Sequence, residues 1–331
     1  MNYKLSGKIL EEIEKAGEIL INCHYKPDPD GVGSALALAL VLKRLGKRRV
    51  TIISPSPSLQ ALDFLEGVKE IKKIDYSNFD FSKYDLWIIP DAANWWQITG
   101  SPSFDPPAVK IINFDHHVTN ETNFPRAVVE KGLSSTCELL YNLFTDWQVK
   151  IDKPLADVLL TGIIGDTGVL KYPNVTAKTL KIVGNLMEVG ADKNKIVSKI
   201  YGSISFEEIK YWGKVIEIMR KDEEGRFVWA AIDFATFEAC GRPIDAGSSA
   251  ASNFAAVVED TDFGVVMTEE KEGFLSCNFR GRGGFDISML ARQLGGGGHK
   301  EAAGARIIGM DFSEAVNNVL ETCRRYAKKP D

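Results

Sequence analysis

Histidine is scarce in this chain of 331 residues: there are four, and all fall inside three short motifs rich in carboxylates or glycine. They are His24 in H-Y-K-P-D-P-D-G, His116 and His117 in F-D-H-H, and His299 in G-G-G-G-H-K. Histidine is the commonest metal ligand and titrates near neutrality, so a chain that uses it nowhere else is using it for chemistry. Cysteine is sparse and odd in number, at 23, 137, 240, 277 and 323, with no C-x-x-C. That spacing argues against a disulfide framework or a zinc-thiolate site and fits reduced thiols. No apolar run approaches the ~20 residues that span a bilayer; the longest is Ala35 to Leu42. The first dozen residues carry charge and no apolar signal core, so a cytoplasmic location is expected. An excess of positive charge is also missing: 40 Lys and Arg against 45 Asp and Glu leave a net charge of -5. This excludes a global field for long nucleic acid and leaves room for a local basic pocket. Fixed-period repeats, low-complexity tracts, the G-x-x-x-x-G-K-[ST] phosphate loop and the dinucleotide fingerprint are all absent.

What is present is an ordinary globular composition, 44% hydrophobic and 26% charged, in a chain long enough for two domains. Residues 5–16 read as an amphipathic helix and 18–23 as a buried strand ending at His24. Further strand-like runs are 50–54, 71–74, 85–90 and 109–114. Helical patterns cover 34–45 (stopped by Gly46), 58–66, 134–146, 154–164 and 175–190. Short apolar strands alternating with helices predict an α/β domain, a parallel Rossmann-like sheet with helices on both faces. His24, Asp28, Asp91 and Asp115 all follow strands, at the carboxyl edge where open α/β sheets bind ligands. Residues 191–222 read as a polar helical linker. Strands at 226–234, 263–268 and 274–280, with helices at 286–294 and 311–326, predict a smaller mixed α/β domain. The expected division is thus 1–190, 191–222 and 223–331.

The first motif places His24, Asp28 and Asp30 on a turn that prolines stiffen and in which Gly31 and Gly33 permit close backbone approach or positive φ. Metal binding competes here with simple helix capping by Asp30 or Ser34. Asp91 ends an apolar strand, where a lone aspartate is often a turn residue. In Asp115-His116-His117, adjacent imidazoles point apart, so one suits a metal and the other a phosphate, with Asp115 as an orienting partner. Asp166 in G-I-I-G-D-T-G reads by itself as a turn signal. Together, His24, Asp28, Asp30, Asp91, His116 and Asp166 are too many ligands for one magnesium-type site and suit two metals. Mixed carboxylate and imidazole ligation favours Mn2+, with Mg2+, Fe2+, Co2+ or Zn2+ as substitutes. Two metals ~3.5–4 Å apart can generate a bridging hydroxide and clamp a phosphoryl group. Such a carboxylate cluster repels itself without cations.

In the second lobe, Gly295 to Gly298 with His299 and Lys300 could turn successive backbone N–H groups toward an anion. The rival explanation is a flexible loop. Lys271 to Arg306 holds six Lys or Arg and three Asp or Glu, and Arg280 and Arg282 would face that loop as a phosphate or base pocket. The alternative is two solvated arginines. Trp95 and Trp96 either pack or stack on a nucleobase.

The combination H-Y-K-P-D-P-D-G, strand-end Asp91, D-H-H, G-D-T-G and distal G-G-G-G-H resembles the DHH/DHHA1 phosphoesterase family, in family order and over nearly the whole chain. The closest kind is the stand-alone nano-RNase and pAp phosphatase type, with related cyclic-dinucleotide phosphodiesterases. The resemblance implies two Mn2+ ions, one held by His24, Asp28 and Asp91, the other by Asp30, Asp91, His116 and Asp166, with Asp91 bridging. It implies that catalysis runs through Asp91, His117 and Asp115, with His117 on the scissile phosphate. Lys171, Arg280, Arg282, Gly296, Gly297, Gly298 and His299 would bind substrate in a cleft between the lobes. The implied enzyme is a Mn2+-dependent phosphoesterase of short oligoribonucleotides, pAp, or linear and cyclic dinucleotides, and a homodimer. Three positions depart from the family pattern: Gln97 and Lys171 where arginine is frequent, and Gly281 where serine is. Rivals are a manganese pyrophosphatase, a RecJ-like exonuclease and a non-catalytic cyclic-dinucleotide sensor. The missing basic channel disfavours the exonuclease.

Overall fold

The structure is a computed structural model that describes residues 5–327 apart from 102, 121, 123, 203 and 299. Two compact units divide between Ser203 and Ile204. In chain order the first holds α1 (Ser6–Lys15), β1 (Glu18–Asn22), α2 (Pro29–Arg44), β2 (Arg49–Ser54) and β3 (Lys72–Lys73). There follow β4 (Leu86–Pro90), α3 (Trp95–Thr99), β5 (Lys110–Asp115), β6 (Ala127–Val129), α4 (Thr136–Asp146), α5 (Lys153–Asp166), α6 (Ala177–Glu188) and α7 (Lys193–Tyr201).

The strands form one parallel sheet in the order β3-β2-β1-β4-β5-β6. Every residue of β4 is buried, which is why it reads as a continuous apolar run rather than an alternating one. One face packs Ile19, Ile21, Ile52 and Phe114 against the long helices. The other packs Leu20, Ile53, Trp87 and Ile89 against α3 and two short 3-10 turns that contribute Tyr76 and Phe81. The order reverses between β1 and β4, and in parallel sheets that switch point opens a crevice at the strands' carboxyl ends. His24 follows β1 and Asp91 follows β4, so both stand at the crevice.

Several boundaries differ from the sequence reading. The helix expected from Ser34 begins at Pro29, because Asp28 is its N-cap and proline suits the first helical position. Gly31 and Gly33 are therefore helical, and only close approach explains them. A Cβ on Gly31 would stand 2.3 Å from His24 Nε2, and one on Gly33 2.7 Å from the Val158 carbonyl of α5. The helix expected over 58–66 is only a 3-10 turn at Gln60–Leu62. The stretch 191–222 also divides: α7 buries Ile196 in the first core, while the helix after it buries Tyr211 and Val215 in the second unit.

The second unit contains α8 (Phe206–Ile218), β7 (Arg220–Asp222), β8 (Phe227–Ile232), α9 (Phe234–Ala239), α10 (Ala246–Asn253), β9 (Phe263–Lys271) and β10 (Phe274–Gly281). It continues with α11 (Ser288–Gln293), β11 (Gly297–Gly298), β12 (Ala302–Ile308) and α12 (Phe312–Ala327). Its sheet runs β11-β12-β10-β9-β8-β7 and is antiparallel except where β8 meets β9. Phe263, Val265 and Phe279 pack on α11 and α12 on one face, while Ala230 and Val266 pack on α8 and α10 on the other. The strand β12 has no sequence signal, because A-A-G-A-R-I-I is poor in β-branched residues until its end. Among the described residues no helix is long and apolar enough to cross a membrane.

Candidate functional site

Four separate segments of the first unit bring their charged side chains to one place. His24 Nε2 lies 3.6 Å from Asp28 Oδ1 and 3.5 Å from Asp91 Oδ2. His116 Nε2 lies 3.0 Å from Asp166 Oδ2 and 3.8 Å from Asp91 Oδ1. Three trios hold ligand atoms mutually within 4.8 Å: His24, Asp28 and Asp91; Asp30, His116 and Asp166; and Asp91, His116 and His117. Asp91 and His116 each belong to two of them, so the trios adjoin.

All of these ligands but Asp166 are aimed by a second contact. The Nδ1–H groups of His24 and His116 donate to the carbonyls of Tyr25 (3.0 Å) and Leu133 (3.2 Å), which leaves Nε2 of each ring turned to the cluster. Asp28 caps α2 by accepting from the amides of Asp30 and Gly31, both 2.9 Å. Capping and metal binding are thus compatible there rather than rivals. Asp30 is only 1% exposed and accepts the amides of Thr136 (2.6 Å) and Cys137 (3.0 Å) at the N-terminus of α4, where the helix dipole favours a carboxylate. Asp91, 3% exposed, accepts the Thr136 hydroxyl at 2.9 Å. Its φ of +56° is uncommon for a non-glycine residue and turns the chain sharply out of β4.

The two histidines of D-H-H take different hydrogen-bond partners, although both lie in the trio with Asp91 and their ring centroids are 4.7 Å apart. His117, with its side chain 33% exposed, donates Nδ1–H to buried Asp115 at 2.6 Å, and Asn120 holds the other oxygen of that carboxylate. The opposite ring nitrogen is left for an incoming group. Thr136, Cys137 and Asn120 escaped the sequence reading. The only advance signal was the S-x-x-E capping pattern of Ser135 and Glu138, which marks the start of α4 but not its service to Asp30.

Burial opposes charge throughout the cluster, and the charges answer one another. Burial would lower both His24 and His116. Asp28 and Asp91 nevertheless hold His24 well above the usual imidazole range, and Asp166, Asp30 and Asp91 push His116 up to about 10. His117 is likewise raised, burial being overcome by Asp115 and then Asp91. Asp30 and Asp166 are raised, first by burial and then by the surrounding carboxylates. For Asp91, burial is outweighed by His24, His117 and His116, which hold it well below the usual carboxylate range. By itself the cluster balances its carboxylates with protonated imidazoles. Divalent cations would supply the same positive charge while freeing those protons. The donors are oxygens and imidazole nitrogens, and the neighbouring thiols of Cys23 and Cys137 are pushed up by burial and stay protonated. This donor set fits Mn2+ and its borderline relatives.

The remaining sequence-predicted residues are placed differently. Lys171 is exposed, just beyond a turn in which Gly168, Val169 and Leu170 all have positive φ. Arg280 and the glycine run lie in one sheet, two strands apart, rather than facing each other, because β12 intervenes. The Arg280 guanidinium turns to α10 and donates to Ser252 Oγ (2.8 Å) and Ser248 Oγ (2.7 Å). Arg282 donates to the Val258 carbonyl. The glycines are not a loose loop. Gly297 and Gly298 pair with β12, and a Cβ on Gly296 would meet the Gly304 carbonyl at 2.0 Å. Gly281 has a similar cause, since a Cβ there would lie 2.4 Å from the Phe285 carbonyl. His299 lies outside the described residues.

A model described as the DHH family, N-terminal domain, matches residues 18–163, and one described as the DHHA1 domain matches residues 245–329. The chain belongs to the DHH family. Among its relatives is the bifunctional oligoribonuclease and PAP phosphatase NrnA of Thermus thermophilus, 28% identical over 97% of this chain and 93% of that protein. The NrnA of Bacillus subtilis is 26% identical over 97% of this chain and 100% of that protein. The cyclic-di-AMP phosphodiesterase PdeA of Listeria monocytogenes is 22% identical over 98% of this chain and 50% of that protein. A crystal structure of an exopolyphosphatase-related protein from Bacteroides fragilis shares the fold, with a TM-score of 0.86 at 23% identity over 98% and 97% of the two chains. These named relatives with assigned activities are hydrolases, and this DHH protein is an enzyme of that phosphoesterase class.

Proposed function

We propose that this DHH protein is a Mn2+-dependent phosphoesterase of short nucleotides: oligoribonucleotides of a few residues, pAp, or linear and cyclic dinucleotides. The observation that carries this reading is the set of adjoining ligand trios sharing Asp91 and His116, one of which includes the partly exposed His117. His24, Asp28 and Asp91 would hold one ion, and Asp30, Asp91, His116 and Asp166 the other. When bound, the ions would neutralise phosphoryl charge and lower the pKa of water at the site. The chain's own part is positioning. Asp115 holds the His117 ring so that its free nitrogen can donate to a phosphoryl oxygen as charge develops. Thr136 and Cys137 keep the Asp30 carboxylate from swinging, and Thr136 does the same for Asp91. Substrate selection is assigned to Lys171, Arg280, Arg282, the 296–298 glycines and His299. Ser248 and Ser252 fix the plane of the Arg280 guanidinium within the second domain.

The test is kcat/KM for purified protein with Mn2+ against short oligoribonucleotides, pAp, cyclic dinucleotides and pyrophosphate. Turnover of the nucleotides that chelator abolishes and Mn2+ restores is the expected result. Rapid pyrophosphate hydrolysis with inert nucleotides would make the protein a pyrophosphatase. Tight dinucleotide binding without turnover would make it a sensor.

A further inference from the structure

Beside the metal ligands the first domain carries an aromatic step that the catalytic machinery does not use. Trp96 is 51% exposed, whereas the other five tryptophans are buried or half-buried. Its neighbour Trp95 takes the packing role, against Trp87, Phe104 and Phe124. Trp96 instead meets Tyr25 edge-on, with ring centroids 5.5 Å apart and planes at 75°. Tyr25 directly follows His24 and accepts the His24 Nδ1–H on its carbonyl, so the step stands one hydrogen bond from the metal cluster.

The step is also fixed. The Tyr25 amide donates to the Gln97 carbonyl at 2.6 Å, joining the segment after β1 to the segment after β4. The Gln97 side chain accepts the Ala93 amide at 2.7 Å, and Asn94 accepts the Gln97 amide at 2.9 Å. Gln97, a departure from the family pattern at the level of sequence, is thus a clamp on this step. Lys26 completes it: its Nζ lies 5.7 Å from the Tyr25 centroid and its backbone has a φ of +51°. A single exposed tryptophan can be a mere surface hydrophobe. An indole carried on the first turn of α3, whose backbone is tied to the segment that holds His24, and standing beside a cation, has what nucleobase stacking requires: a flat face presented at little entropic cost.

We propose that Tyr25, Trp96 and Lys26 form a nucleobase subsite in the first domain. It seats the base of a nucleotide whose phosphate is at the metal cluster, with Lys26 adding positive charge at its rim. This rests on the reading of the substrate as a short nucleotide. Stacking accepts every base, so the subsite adds affinity with little sequence preference.

The test compares hydrolysis of pApA with that of the same compound made abasic at one residue or the other, in wild type, Trp96→Ala and Trp96→Phe. The expected result is that Trp96→Ala lowers the ratio of kcat/KM for pApA to that for one abasic analogue by about tenfold or more, from the usual strength of base stacking. Trp96→Phe retains most of that ratio. An unchanged ratio in Trp96→Ala, or equal losses on all three compounds, overturns the subsite. If wild type hydrolyses none of them, the nucleotide-hydrolysis reading fails, and the subsite is judged by calorimetric titration with pApA. Weaker binding by Trp96→Ala then upholds it, and no binding by wild type, or equal binding by both, removes it.

Discussion

The two domains use their unusual residues in opposite ways. In the first, aspartates and histidines from four segments are packed so closely that their charges do not balance without protonated imidazoles, and all but Asp166 are aimed by a further hydrogen bond. In the second, the described residues of the glycine and arginine motifs are satisfied within the domain: glycines by a tight hairpin, Arg280 by two serines, Arg282 by a carbonyl. A motif whose carboxylates are balanced by protonated imidazoles can exchange those protons for a cation. A motif whose geometry is explained by packing can exist without one, and a binding role for it must be shown separately.

The sharpest way to break this contrast is Asp91→Ala. It removes a side chain common to two trios, and kcat/KM on the best substrate should fall by about a thousandfold or more, well beyond the ~10–100-fold usual for an outer-shell change. Full activity in that variant would sink the two-metal reading. Thr136→Val comes next. It keeps the amide on Asp30 but removes the hydroxyl from Asp91, so Mn2+ affinity or kcat/KM should fall by about 10–100-fold. Calorimetric Mn2+ titration of metal-stripped protein checks it, and an unchanged affinity together with unchanged kcat/KM would show that the threonine serves only the fold.

The parallel sheet, its carboxyl-edge placement of His24, Asp91 and D-H-H, and the smaller second domain were legible because strand periodicity and strand-end chemistry are local signals. The start of α2 was missed because prolines and glycines normally break helices. Here Pro29 occupies the one position that tolerates it, and Gly31 and Gly33 are required by contacts with His24 and α5 that no local pattern encodes. Thr136 and Cys137 were illegible for the same reason: they reach Asp30 from more than 100 positions away, through backbone amides that any residue type possesses. The hairpin of β11 and β12 was hidden because glycine and alanine carry no strand signal, although their smallness is what lets the strands approach.

The second domain offers its own internal control. Gly298 has a φ of +146° and a Cβ there would stand 2.5 Å from Ala303 Cα, whereas a Cβ on Gly297 meets nothing within 4 Å. Gly298→Ala should therefore destabilise the protein by about 1–3 kcal/mol, an overpacking cost, while Gly297→Ala stays within about 0.5 kcal/mol. Denaturant unfolding measures both. If Gly297→Ala leaves stability alone but raises KM, the glycine run reads substrate as well as closing a hairpin. If both variants act on stability alone or on nothing, its role is structural.

The smallest effect separates the domains most cleanly. All five cysteines are buried, and burial pushes the thiol of Cys277 up to about 12, so none should react quickly with a thiol reagent in the native state. Labelling must then wait for local or global opening. Cys23 and Cys137 adjoin the ligand cluster of the first domain, and Cys240, Cys277 and Cys323 belong to the cores of the second. A cation that binds only the folded first domain suppresses its opening by the ratio of free ligand to dissociation constant, about tenfold when the metal is tenfold above that constant. Adding Mn2+ to metal-stripped protein should therefore slow labelling of Cys23 and Cys137 by about that factor and leave the other three unchanged, as followed by mass spectrometry of the labelled peptides. Equal slowing at all five would mean that the domains open as one unit, and no slowing at Cys23 and Cys137 would place the metal elsewhere.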